Sequence, residues 1–174
     1  YRWRIESNGV ITFKAGGDEG FRIPYQDYLA AFTFPNLADG RVRLEIRPEF
    51  TNETTLKFYG LGNASKAPES TGPEYEYGRL HPQVVVRARV RIVKELHALL
   101  GLGYTHNWID VHPNSSLSDA RRTQGGLFDT LAKSVEPHGV PSLEYGLVYD
   151  TRDDETTTLK GQFHQTKIRI APGG

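Results

Sequence analysis

The sequence contains no cysteine and no methionine, and its charges cancel, since 21 basic residues balance 21 acidic ones. Without cysteine, neither a disulfide framework nor a thiolate metal site can form. The balanced net charge gives no indication of a nucleic-acid partner. The absence of methionine even at position 1 indicates a processed chain or a piece of a longer one.

Long hydrophobic runs are also missing. The longest apolar stretch, residues 96–104, contains His97 and is far shorter than the ~18 residues of a membrane-spanning helix. The first residues lack the apolar segment of a signal peptide. The length of 174 residues suggests one domain, and no second domain is visible. If this protein crosses a membrane, it does so with strands.

Alternation with a period of two is the dominant pattern. Within 41–50 every second residue is ionisable and the others are apolar, so a strand here has one charged and one apolar face. Residues 83–92 repeat this pattern, and alternating segments also occur at 25–34, 96–108, 142–151 and 161–172. The charged residues of the first two segments are Arg41, Arg43, Glu45, Arg47, Glu49, Arg87, Arg89 and Arg91.

Short turns are expected near Pro35, near Asn52 and after Ile92, and long polar loops at 60–78 and 110–141. A short helix is predicted near 127–135. This gives about seven to nine strands of about nine to twelve residues, longer than the ~5–6 typical of soluble strands. Strands of ~9–11 residues cross a bilayer, and short turns opposite long loops are typical of outer-membrane barrels.

Two environments fit a sheet with one charged and one apolar face. In a soluble sheet, the charged face contacts bulk water and the apolar face a second layer. In a barrel, the apolar face contacts lipid and the charged face lines water. Arginine pairs with carboxylates in confined spaces, so ladders against Glu45, Glu49 and Glu144 would suit a narrow lumen. Tyrosine and tryptophan near strand ends favour the aromatic girdles of a barrel.

Two motifs stand out: FYGLGN, at the end of a strand, and DTRD followed by KG. Together they resemble the bacterial surface antigen family, the outer-membrane protein assembly factor superfamily of BamA- and TamA-like barrels. Thr158 stands where the family usually has proline. The resemblance spans about 41–174. The matching residues are Phe58, Tyr59, Gly60, Leu61, Gly62, Asn63, Asp150, Thr151, Arg152, Asp153, Lys160 and Gly161.

The resemblance implies that residues 1–174 are the N-terminal part, about half, of a 16-stranded antiparallel transmembrane β-barrel in the bacterial outer membrane. The implied function is insertion or translocation of proteins there, without a cofactor. Its implied partners are outer-membrane lipid, the remaining strands of the barrel, and client outer-membrane or secreted proteins. The first strand, expected near 1–13 with an interruption at 6–9, would pair weakly with the last and admit client strands.

No catalytic site is predicted. The sequence has no nucleophile elbow and no phosphate-binding glycine loop. The six histidines are scattered, which disfavours a zinc site, and the acids after Tyr149 do not follow the calcium-loop spacing. Two other functions stay open: a passive barrel that anchors an upstream passenger domain, as in patatin-linked relatives, and a soluble ligand-binding barrel or sandwich.

Overall fold

The computed structural model describes residues 2–16, 20–60, 72–123, 135–154 and 157–171. In these ranges the chain is all-β, with eight strands in one antiparallel sheet, a short 3₁₀ helix (Pro73–Tyr75) and an α-helix α1 (Ser116–Thr123). The strands are β1 (Arg4–Lys14), β2 (Arg22–Leu37), β3 (Val42–Lys57), β4 (Glu76–Leu80), β5 (Gln83–Arg91), β6 (Leu96–Val111), β7 (His138–Asp150) and β8 (Phe163–Ile170).

The sheet is a meander in which the two short strands β4 and β5 lie end to end and together take the place of one strand, between β3 and β6. Both of these strands pair with β3 on one side and with β6 on the other. The break between them falls at His81 and Pro82, where the backbone still bonds to both neighbours: His81 N–H donates to the Thr51 carbonyl (2.9 Å), and the Pro82 carbonyl accepts from His106 (3.0 Å). Within the described residues, β1 and β8 form the two edges.

The predicted all-β fold and number of strands are confirmed, but two predicted interruptions are wrong. β3 has 16 residues and continues through Asn52, because Asn52 pairs with Gln26 of β2 and with Leu80 of β4. Likewise β1 stays paired to β2 through 6–9. Pairing with both neighbours thus overrides the weak strand propensity of these polar residues. The helix predicted near 127–135 lies almost wholly outside the described residues.

The two faces of the sheet have inverted exposure. Leu102, Leu147 and Ile168 on the apolar face are 66%, 52% and 51% exposed, whereas Glu144 on the polar face is 0% exposed. The few buried apolar strand residues, Val148 among them, lie on the polar face. One cavity on that face is lined both by Arg4 of β1 and by Lys167 of β8, so the sheet curls with its polar face inward. No second layer covers the apolar face within the ranges given above.

The two ends of the sheet differ. The turn end carries the connections 38–41, 92–95 and 151–162, and the loop end carries the short connection 15–21 and the two longest connections, 58–75 and 112–137. The first turn places Asp39 and Gly40 at positive φ (55° and 75°), and Arg41 N–H donates to the Ala38 carbonyl (3.1 Å). Asp-Gly with two positive φ angles is typical of tight hairpins. None of the helices in the described part of the chain is long and apolar enough to cross a membrane.

Candidate functional site on the polar face

One row of residues crosses the polar face from edge to edge. Its members lie directly opposite each other on neighbouring strands, and the charged ones alternate in sign along the row. Such cross-strand opposite charges stabilise a sheet, whereas like charges destabilise it. We call this the central row; it consists of Arg4, Thr33, Glu45, Arg87, Gly101, Glu144 and Arg169.

Glu144 is the centre of this row. Its carboxylate accepts from Arg87 Nε (2.7 Å) and Arg87 Nη2 (3.3 Å), and from Arg169 Nε on the other side (2.7 Å). Lys167 Nζ lies 3.9 Å from Glu144 Oε1. Arg87 also donates to Glu45 (3.2 Å), so one guanidinium joins two carboxylates. Because a buried carboxylate without partners would be costly, these bonds explain how Glu144 can be fully buried.

Gly101 makes the contact between Arg87 and Glu144 possible. Strand β6 runs between β5 and β7, and Gly101 is the residue of β6 that lies between the two partners. A Cβ atom at Gly101 would lie 3.2 Å from Glu144 Cβ and 3.3 Å from Arg87 Cγ. The missing side chain therefore leaves the space through which the ion pair reaches across an intervening strand.

A second set of polar contacts runs parallel to the central row, towards the loop end. Glu49 accepts from Arg47 Nε (2.5 Å) and from Gln83, and Gln83 in turn accepts from Thr105 (3.3 Å). Glu49, Gln83 and Thr105 lie opposite each other on β3, β5 and β6. All three glutamates expected to pair with arginine, Glu45, Glu49 and Glu144, thus have an arginine partner.

The turn after β7 brings most of the second motif together. Arg152 donates from Nε and Nη2 to the two oxygens of Asp150 (2.9 and 3.0 Å), and Arg89 of β5 donates to the same carboxylate (3.0 Å). The Arg152 guanidinium lies 4.5 Å from the centre of the Phe163 ring, in cation–π geometry. Thr151 Oγ1 accepts from Gln162 N–H (3.0 Å), which closes the base of the turn.

Asp153 organises the tip of this turn. Its Oδ1 accepts backbone N–H groups of Lys160 (3.2 Å), Leu159 (3.1 Å) and Asp154 (3.0 Å). These donors, that of Lys160 foremost, lower the pKa of the Asp153 carboxyl below its ordinary value. Gly161 has a φ of +100°, and a Cβ atom there would overlap the Thr151 carbonyl. Each of Asp153, Lys160 and Gly161 therefore holds the turn through its backbone or its carboxylate.

The first motif lies at the opposite end of the sheet. Phe58 N–H donates to the Tyr75 carbonyl (2.9 Å), and the Phe58 carbonyl accepts from Ser116 at the start of α1 (2.5 Å). The rings of Tyr59 and Tyr75 are 5.5 Å apart, and Gly60 has a φ of +123°. Leu61, Gly62 and Asn63 lie outside the described residues. The two motifs therefore do not form one site: each organises a connection at its own end.

Arg169, Lys167 and Gly101 belong to the site although sequence reasoning did not select them. Their alternation with Ile168 and Leu100 indicated which face they occupy, but not which residues they contact. Among the described residues, no group of three or more His, Asp or Glu side chains could hold a metal ion. No family model, curated protein or solved structure matches this chain.

Proposed function

We propose that this chain forms part of the wall of a β-barrel in the bacterial outer membrane, with its apolar face in lipid and its polar face towards interior water. The observation that carries the proposal is the inverted exposure of the sheet. Leu100, Leu102, Leu143 and Leu147 form a continuous exposed surface on β6 and β7, while Glu144 between them on the other face is buried. An apolar surface of this kind marks contact with a membrane or another protein.

The polar face supports an enclosed aqueous interior. Arginine side chains bind carboxylates there in bidentate contacts. The charges of the central row are paired between β3 and β5, between β5 and β7, and between β7 and β8. Arginine suits confined ion pairs better than lysine because its planar fork is preorganised and weakly hydrated. A sheet face open to bulk water gains little from such pairs. The arrangement therefore fits a narrow, wet lumen.

Aromatic rings on the apolar face support two interfacial girdles. Near the loop end, Tyr104, His106 and Trp108 form a row of mutually tilted rings, in which the His106 and Trp108 ring centres are 4.0 Å apart. Near the turn end, Tyr149 lies 6.5 Å from His164. Tyrosine and tryptophan concentrate at both membrane–water interfaces, one girdle at each end of the spanning strands. Strands of up to 16 residues reach from one interface to the other.

The edges of the sheet indicate what completes the barrel. Every residue of β1 and of β8 is exposed, and unpaired strand edges are very costly in lipid. We therefore propose that the described strands are about half of a 16-stranded barrel whose other strands pair with β8. By the usual asymmetry of such barrels, the turn end faces the periplasm and the loop end the cell exterior.

Support for the assembly role comes from the resemblance of the two motifs together with the outer edge of β1, which would pair only weakly with the last strand of the barrel. A client strand that pairs with β1 would satisfy its backbone groups, which is β-augmentation in lipid. In this role the protein inserts or translocates other proteins without a catalytic step or cofactor. A passive anchor for a passenger domain has the same barrel wall, so only a test with clients separates the two functions.

Lipid contact is testable with tryptophan fluorescence. Trp108 lies on the apolar face, and Asn107, the preceding residue of β6, lies on the other. In vesicles of brominated phosphatidylcholine, Trp108 in a Trp3→Phe chain should lose roughly half of its emission because its ring contacts lipid. The matched control is Asn107→Trp in a chain that lacks both native tryptophans, and it should lose several-fold less. Equal quenching at both positions, or none at either, would contradict the proposed wall.

The assembly role is testable by cross-linking, because the chain has no cysteine of its own. Ser7→Cys places one thiol on the edge strand β1, and Ala98→Cys places one on the same face of β6, where β6 is paired with both β5 and β7. During assembly of a client barrel that carries edge-strand cysteines, only Ser7→Cys should form disulfide adducts. If Ser7→Cys formed no adducts in membranes in which the client barrel is assembled, the assembly role would be refuted and the passive anchor favoured.

A further inference from the structure

A groove opens on the apolar face of the sheet at its loop end. Two adjoining cavities of about 410 and 500 Å³ form it, and they share Thr54 and His112. Asn52, Trp108 and Asp110 line the first cavity, and the second extends the groove across to β2. An indole ring thus lies beside amide, hydroxyl, imidazole and carboxylate groups. We call this the loop-end groove; it is defined by Asn52, Thr54, Trp108, Asp110 and His112.

The polar residues of this groove stand where the alternation along the strands places apolar ones elsewhere. Asn52 lies opposite Leu80, and Leu80 lies opposite Trp108, so all three are on the apolar face. Asp110 and His112 follow Trp108 at steps of two residues. Pairing with β2 and β4 explains how Asn52 is tolerated in a strand, but not why a polar side chain occupies this face. A ligand that forms hydrogen bonds with these side chains supplies the reason.

The surroundings of the groove disfavour two classes of ligand. Strand β4 is paired with β3 on one side and with β6 on the other, so an extended peptide has no open strand edge to pair with here. The two arginines that line the cavities each lie beside a glutamate, Arg22 at 3.8 Å from Glu76 and Arg79 at 3.6 Å from Glu53. These glutamates offset the attraction of the arginines for an anion. The groove therefore suits an uncharged ligand that is rich in hydroxyl groups.

We infer that the loop-end groove binds the saccharide headgroup of a glycolipid. Sugar hydroxyls donate to carboxylate and amide oxygens and accept from amide and hydroxyl groups, which Asn52, Thr54 and Asp110 provide. The C–H face of a sugar ring can pack on the indole of Trp108, which is 41% exposed.

The apolar surface next to the groove favours a lipid over a free sugar. Tyr104, Leu102 and Leu100 continue from Trp108 along the same face of β6, and all three are exposed. An amphiphile therefore matches the groove with its headgroup and this apolar surface with its acyl chains. The lipid source rests on the proposed membrane location, whereas the saccharide chemistry of the groove does not.

Quenching of Trp108 fluorescence by brominated lipids tests the inference, in the Trp3→Phe chain reconstituted into phosphatidylcholine vesicles. At the same low mole fraction, brominated digalactosyl diacylglycerol should quench Trp108 about threefold more than brominated phosphatidylcholine, because the groove enriches the glycolipid at this ring. The double variant Asn52→Leu/Asp110→Leu should bring this ratio to about one, because it removes hydrogen-bonding groups. The matched control Asn107→Leu changes the preceding residue of β6, on the opposite face, and should keep the ratio.

A conservative variant and a charged lipid make the result decisive. Asp110→Asn keeps the shape of an exposed side chain, so it should lower the quenching ratio without changing the fold. Equal quenching by the two lipids in the Trp3→Phe chain would overturn the inference and leave the proposed barrel wall intact, since Trp108 would still contact lipid. Stronger quenching by brominated phosphatidic acid than by the glycolipid would also overturn it, because the groove would then select charge.

The free sugar separates this inference from the proposed function. If neither the glycolipid nor phosphatidylcholine quenches Trp108, the proposed wall fails, and calorimetric titration of the chain in buffer with free digalactose decides about the groove. Saturable binding that is lost in Asn52→Leu/Asp110→Leu would retain the saccharide site with a soluble source. Absence of binding would overturn the inference together with the wall.

Discussion

Replacement of Glu144 by glutamine is expected to lower the free energy of unfolding by about 3 kcal/mol. Glu144 is completely buried and accepts from both Arg87 and Arg169. Glutamine keeps the size of the side chain, so the loss is electrostatic. Arg87 keeps Glu45 as its remaining carboxylate partner, while its bonds to Glu144 weaken. Reversible unfolding by guanidinium chloride in vesicles measures the change.

Glu6→Gln is the matched control for this prediction. Glu6 pairs with Arg4 at 3.4 Å, but more than half of each side chain is exposed. Exposed pairs contribute at most about 1 kcal/mol, so this variant should unfold close to wild type. Adding Arg169→Gln to Glu144→Gln should cost less than the sum of the two single changes, because both remove the same contact. Strict additivity would show that Arg169 and Glu144 do not interact.

The faces of the sheet could be predicted from the sequence because side-chain alternation is a local property. The pattern of 41–50 and 83–92 correctly separates Val42, Leu44 and Val90 from Arg43 and Arg89. Strand limits were less predictable. Asn52 is unfavourable in an isolated strand, and it is paired only because β2 and β4 flank it. Such pairing depends on residues far away in the sequence, which local propensity does not represent.

The contacts of the site could be predicted only in part for the same reason. That some arginine would meet Glu144 follows from composition and face, but the choice of Arg87 depends on the register of β5, β6 and β7. From the sequence alone, Gly101 would only be expected to weaken its strand, because glycine has no side chain to pack. Its role becomes visible only when the ion pair that crosses it is known. The role of Asp153 as an acceptor of three N–H groups depends on the path of the turn, which the residue types alone do not determine.

If the sheet is the wall of the proposed barrel, arginine in place of Leu102 is expected to destabilise it by about 3 kcal/mol in vesicles, because the residue lies near the middle of β6 on the apolar face. Leu102 is 66% exposed and lies opposite Val86 and Leu143, both apolar. In lipid, its replacement places a guanidinium among acyl chains without an acid partner. In water, the same change would affect a solvated position and shift stability by about 0.5 kcal/mol or less.

Leu159→Arg provides the control with the same chemical change. Leu159 is 83% exposed in the turn between β7 and β8, outside the strands, and its side chain should contact water in any environment. Guanidinium unfolding curves of both variants in the same vesicles give the comparison. A loss at Leu102 that is several times larger than at Leu159 requires hydrocarbon at the apolar face. If both variants lost equally little unfolding free energy, the apolar face would be in contact with water, which would contradict the proposed membrane location.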